Sequence, residues 1–353
     1  MSRSELSRPT VTFQPPGAFA RDVNWRASIA LAGAPRHGDA AEAICAVCVL
    51  ALGLLAYGTL LLGLGGWLCG AVCIGIAAFS AFLLVLQIGH NASHCSVTGR
   101  PAIDKMLLFW TFAIVGVDGG QWRERHLKLH HRVVNLPGTG IDADSISLVR
   151  LAPDKTWHWW MRLQPLYGPL IFAVGHISLV WLEDLANFHG VKAWRARTSF
   201  VAGKAVHVVL FLLVPLIVLA PTWAALVLGY LEASIVIALC FSVLVIGTHI
   251  SDLAEFPQPD ANGRLGHDWA THQVVTSVDW SPESRWATLL TGGANAHVAH
   301  HLFPGYSHRH APALSRAIAD AAAANGINHR VTSFPGMVAG QWRHLLSLSR
   351  KST

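Results

Sequence analysis

The sequence predicts an all-α integral membrane protein with four transmembrane helices arranged as two hairpins. Three observations lead there. Of 353 residues, 52% are hydrophobic and only 13% charged, with a mean hydropathy of +0.42, too apolar for an ordinary soluble domain. Four stretches approach or exceed the roughly 20 apolar residues needed to cross a hydrocarbon core. All 26 Lys and Arg fall in three regions that four such spans would leave on one side.

Taken in order, residues 1–41 form a polar arm broken by Pro9, Pro15 and Pro16, without the apolar run of a cleavable signal peptide. The rest, 42–353, reads as one membrane domain. Its first two spans cover about 42–64 and 67–88, with the turn Gly63-Leu64-Gly65-Gly66 between them. The second pair covers about 205–220 and 222–247, with Pro221 at the turn. The shorter apolar runs at 106–117 and 166–182 predict interfacial or half-inserted helices. Trp157, Trp159 and Trp160 ahead of the second run suit a headgroup-level belt.

The connectors at 63–66 and 220–222 carry no Lys or Arg, whereas the arm, 89–204 and the tail after 250 carry all of them. The positive-inside rule makes that shared face, with both termini, cytoplasmic. The net charge of +6 therefore reports topology, and no basic run interleaved with aromatics suggests nucleic acid. Six cysteines give no disulfide framework. Cys45-Ala-Val-Cys48 lies inside an apolar run and reads as packing within a membrane helix.

Three histidine clusters emerge on the cytoplasmic face: His90 and His94 directly after the second span, then His126, His130 and His131, then His297, His300 and His301 in the tail. Residues at i,i+3 and i,i+4 share a helix face, so His90 stacks on His94 and His126 on His130. His131 would then point about 100° round the axis. His300 and His301 both aim near His297. Eight imidazoles exceed the ligand demand of one metal, so two metals must share them, and His249 at the end of the fourth span is a ninth candidate. Imidazole suits iron, zinc and copper alike. A haem electron carrier would instead pair histidines inside facing spans, and a metal transporter would place polar residues at the bilayer midplane. His158, His176, His189 and His207 stand singly and read as hydrogen-bonded structural residues. His308 and His310 read as surface residues, and Glu232, inside the fourth span, receives no role.

The stretches GHNASHC, WRERHLKLHHRVVN with the trailing Asp142-Ala-Asp144, and WATHQVVTSVDW followed by LLTGGANAHVAHHLFP together resemble the membrane-bound fatty acid desaturases and their hydroxylase relatives, over about 60–310. The third box starts with His297, as in many methyl-end desaturases, while HNASHC and HxxxHH depart from the commoner first and second boxes. The resemblance implies a mushroom-shaped fold whose spans support a cytoplasmic helical cap holding two non-haem iron ions. His90, His94, His126, His130, His131, His297, His300 and His301 would be iron ligands, with His249 matching an additional one found in some members. Asp142, Asp144, His272 and Asn295 occupy positions of polar residues that brace such ligands. It also implies O2 as co-substrate and an acyl-lipid, acyl-CoA or acyl-carrier-protein substrate taken from the bilayer. No His-Pro-Gly-Gly haem motif occurs, so electrons would come from a ferredoxin or cytochrome b5. Hydroxylases and acetylenases use the same ligands, so the boxes do not separate these outcomes from desaturation.

Overall fold

The computed structural model describes residues 11–138 and 146–351. A short strand, β1 (Thr12–Gln14), and helix α1 (Ala18–Ala30) lead into the first span, α2 (Ala40–Leu61). Asp39 caps α2 and Glu42 closes a reciprocal capping box, satisfying N–H groups that the helix start leaves without intrahelical partners. The second span, α3 (Gly66–Ser93), starts from Gly65 in the left-handed conformation that lacks steric cost only for glycine.

The apolar run at 106–117 lies mostly in α4 (Pro101–Ile114), which begins on a proline pre-set for a first helical turn. Helix α5 starts at Gly119–Arg125, capped by the Asp118 carboxylate, and continues through the second histidine box. The run at 166–182 belongs to two helices, α6 (Trp159–Ala173) and α7 (Gly175–Phe188), bent by 49° at their junction. Joined, they are long and apolar enough to count as a fifth crossing.

The second pair of spans is α8 (Trp194–Leu219) and α9 (Trp223–Thr248). Four spans are thus present as expected, but α8 begins eleven residues before the apolar run near 205, since a helix does not stop where hydropathy drops. Its polar first turns have a use. Lys204 Nζ reaches the Gly116 and Val180 carbonyls at 2.6 Å and Asp184 Oδ2 at 2.9 Å. His176 and His207 bond the Val115 and Ile114 carbonyls, as their reading as structural histidines requires. Together these donors satisfy the C-terminal carbonyls of α4 and fix the turn into α5.

The lipid-facing sides of the spans are bare: Leu55, Trp67 and Ile217 are 69%, 85% and 76% exposed. Spans with satisfied backbones and outward apolar side chains are what a bilayer selects. Beyond α9 come β2 (Arg264–Asp268), α10 (Trp269–Val275), β3 (Val278–Trp280), α11 (Arg285–Thr291), α12 (His297–Leu302), α13 (Ala311–Ala324), β4 (Arg330–Thr332) and α14 (Phe334–Leu348). Two parallel ladders, β1–β2 and β3–β4, are the sheet content of the described residues. Phe19 and Val23 of α1, Val274 of α10, Val298 and Ala299 of α12, and Ile318 of α13 form one buried cluster. The third histidine box is therefore clamped from both ends of the sequence.

Candidate metal centre

Local helix geometry, more than sequence spacing, decides where each imidazole goes. Helix α3 widens into a π-turn at Val85–His90, and α5 does the same at His126–His130. Such turns bond i to i+5 and recur at functional sites. In the second box the rings of His126 and His130 stack as expected, yet their nitrogens part. His131, five residues on, brings its Nε2 to 3.1 Å from His126 Nε2, while His130 turns to a different group of nitrogens. The same division occurs in α12: His301 Nε2 lies 3.2 Å from His297 Nε2, and His300 faces the other way.

The result is two clusters. One gathers His90, His94, His126 and His300, and the other His130, His249, His297 and His301, with ligand nitrogens inside each within 4.8 Å of one another. His131 adds a fifth nitrogen to the first, because its Nε2, like those of His90 and His94, is 3.1 Å from His126 Nε2. In the second cluster the Nε2 atoms of His249 and His297 are 2.7 Å apart. All nine candidate histidines thus lie in or beside these two clusters.

The donor set fits metal ions. His126 Nε2 carries either one N–H or one lone pair and can make one good hydrogen bond among its three close nitrogen neighbours, so the other contacts stay unsatisfied unless a cation gathers the lone pairs. Two tautomers are fixed from behind: His249 Nδ1–H donates to the Thr276 carbonyl at 2.9 Å and His301 Nδ1–H to Gln273 Oε1 at 2.8 Å, leaving both Nε2 atoms as lone-pair donors. Burial, aided by neighbouring imidazoles, holds His126, His131, His297, His300 and His301 well below the ordinary imidazole range. Burial takes His94 down to about 3. Neutral imidazole is the ligating form. His131 Nδ1, His297 Nδ1 and His300 Nε2 are buried without a hydrogen-bond partner among the described residues.

The expected bracing residues fare differently. Asp142 and Asp144 lie outside the described residues. His272 is fully buried, but its Nε2 bonds the Val134 carbonyl at 2.9 Å and its Nδ1 meets His267 at 3.1 Å, so it braces the end of α5 and not a box imidazole. Asn295 bonds the Ser281 carbonyl through Nδ2 and meets Thr291 Oγ1 at Oδ1, again away from the imidazoles. Its neighbour in role is Gln273, one residue past His272. His308, expected at the surface, is buried with Nε2 3.2 Å from Glu42 Oε1, because residues 305–310 fold back over the start of α2.

Two asparagines escaped the sequence reading. Asn91 Nδ2 reaches the Leu86, Gln87 and Gly292 carbonyls at 3.0, 3.2 and 3.1 Å, tying the first π-turn to the loop before α12. Asn135 Nδ2 bonds the His249 carbonyl at 2.9 Å, joining the second box to the end of α9. An asparagine in a helix interior is a poor helix former, and that was the available signal for Asn91.

Between the spans lies an apolar cavity of about 420 Å³, lined among others by Ile74, Ala81, His207, Phe211, Tyr230 and Ile237, with Glu232 also on its wall. None of the box histidines lines it.

A fatty acid desaturase family model matches residues 65–333. The sn-1 linoleoyl-lipid 6-desaturase of Arthrospira platensis is 27% identical over 293 residues, 80% of this chain and 78% of that protein. The Synechocystis sp. protein of the same description is 26% identical, covering 80% of each. An acyl-lipid (8-3)-desaturase of Mortierella alpina is 30% identical over 67% of this chain and 55% of its own length.

Proposed function

Because the chain belongs to the fatty acid desaturase family, we propose that it introduces a double bond into the acyl chain of a membrane lipid, using O2 at two non-haem irons. The observation that carries the reading is the pair of buried imidazole clusters with convergent nitrogens. His90, His94, His126, His131 and His300 would hold one iron, and His130, His249, His297 and His301 the other. When bound and reduced, such a pair supplies the oxidising power, drawn from O2, that an unactivated methylene demands.

The balance sets what the protein must provide. Two hydrogens leave adjacent carbons, and together with two electrons and two protons they reduce O2 to two waters. The electrons come from an external donor, a ferredoxin or a cytochrome b5. The chain's own part is to orient nine imidazoles, hold the most deeply buried of them neutral, and exclude bulk water. Gln273 and the Thr276 carbonyl set ring direction and tautomer, while Asn91 and Asn135 tie the boxes to one another. The relatives named above act on acyl groups held in lipids, and an acyl-lipid is the substrate form proposed here. The cavity between the spans would take the far part of the chain, which already partitions into the bilayer. The boxes and both termini would face the cytoplasm, the side of the Lys and Arg.

The test is expression in a host lacking the activity, with lipid analysis by mass spectrometry and iron measured on the purified protein. A product two mass units lighter and about two irons per chain are expected. A product sixteen units heavier would make the protein a hydroxylase. Active protein carrying stoichiometric zinc would overturn the iron assignment.

A further inference from the structure

Helix α12 is only six residues long, too short to hold its own direction, and it begins after Ala296, whose side chain cannot cap it. Its cap comes from 19 positions upstream. Asp279 Oδ1 accepts the Val298 N–H at 2.9 Å, one of the donors that a helix start leaves without a partner. Asp279 is fully buried in the middle of β3, and its Oδ2 accepts from His329 Nε2 at 2.9 Å. His329 directly precedes β4, whose Val331 pairs with Asp279 in the parallel ladder. The next residue of β3, Trp280, donates its N–H to the Asn295 carbonyl at 2.9 Å, gripping the approach to the same helix.

We propose that Asp279, held by His329, is a positioning residue for the third histidine box. The inference rests on the reading of the two clusters as metal sites. Helix α12 sends His297 and His301 to one cluster and His300 to the other, so its rotation is shared by both. A slip of one residue would turn every imidazole by about 100° and take all three off their targets. The cap on Val298 opposes that slip. A carboxylate only accepts hydrogen bonds, so His329 must carry its proton on Nε2, and this fixes which oxygen of Asp279 is left for the helix. His329 Nδ1 and Ser315 Oγ are both buried without a hydrogen-bond partner among the described residues, and both residues line a pocket that Ser281 and Val331 share.

The experiment uses the full chain in lipid nanodiscs, with Asp279→Ala, Asp279→Asn, His329→Ala and His329→Gln. Hydrogen exchange of the 297–302 segment is followed in metal-free protein, and ferrous iron is then titrated. Asp279→Ala and His329→Ala should speed exchange of that segment about five- to tenfold. They should also weaken ferrous iron binding about 10- to 100-fold. Asp279→Asn keeps an acceptor and His329→Gln a donor, and each should recover most of both losses. Unchanged exchange with wild-type iron binding overturns the proposal, as does exchange that rises equally across α13 and β4, which would mark a purely structural pair. Wild-type protein that takes up no ferrous iron, while the variants still loosen only 297–302, would remove the metal reading and leave the cap standing. Should Asp279→Ala fail to fold, His329→Ala and its glutamine rescue decide the matter alone.

Discussion

His126 and His130 stack ring on ring, with centroids 5.1 Å apart and planes 17° from parallel, yet they belong to different nitrogen clusters. One turn of α5 therefore bridges the two proposed irons. Replacing His126 by Ala and His130 by Ala should each lower iron from about two to about one per chain, but at different sites. Mössbauer spectra of the two variants should then show different residual iron environments. Activity in each should fall at least about 100-fold, since a lost ligand costs more than a lost bracing residue. Identical residual spectra would mean that the two histidines serve a single ion.

Gln273→Ala should reduce iron affinity about 10- to 100-fold while leaving the fold intact, because it frees the His301 ring without touching its Nε2. His272→Ala should act the other way round. Its partners are the Val134 carbonyl and His267, so the loss should appear mainly in thermal stability. Iron titrations beside thermal melts of both variants check the contrast, and equal iron loss in the two would refute it.

Gly292 has φ +62°, and a Cβ there would sit 2.4 Å from the Leu86 carbonyl oxygen. That oxygen belongs to the first π-turn, which must therefore move if a side chain is added. Gly292→Ala should cost about 1 kcal/mol for the left-handed backbone alone, and more for the clash. A melt several degrees lower, accompanied by reduced iron content, is the expected result. An unperturbed melt would show that the loop adapts.

The spans were legible because hydropathy acts over 20 residues and tolerates error at their ends, as the early start of α8 shows. The identities of the box histidines were legible from their spacing and family resemblance. Their division into clusters was not, since an α-helical repeat mispairs His126, His130 and His131 once a π-turn intervenes. The bracing residues were hidden for a related reason. Gln273 and His272 are adjacent in sequence but about 100° apart on their helix, and only the packed structure says which one faces His301. His308 went astray because its partner, Glu42, is remote in sequence, so nothing local announced its burial.

The cavity between the spans gives a prediction about substrate length. Ala81 lines it and lies well below the box residues of the same helix. Ala81→Trp should fill part of the space, shifting preference toward shorter acyl chains without changing iron content. Product profiles from mixed lipid substrates would show it. An unchanged chain-length profile would place the acyl tail elsewhere.

The imidazoles also set the response to pH. In metal-free protein, burial holds His94 at about 3 and five other box histidines far below 6.5, the value expected once unfolded. Between pH 6.5 and about 3 the unfolded chain binds protons that the folded chain refuses, so folding stability falls as pH falls through that window. Above pH 6.5 the contribution is fully present. Bound iron adds a second proton-linked effect of the same sign, because protons compete for the ligating lone pairs. Metal-free protein should therefore lose stability progressively on acidification, and loaded protein should release iron over the same range, reversibly if the fold survives. Melts and iron retention measured from pH 8 to 4 test both. Stability that is flat below pH 6.5 would mean that the clusters admit protons and water freely, against the burial on which the neutral ligand set depends.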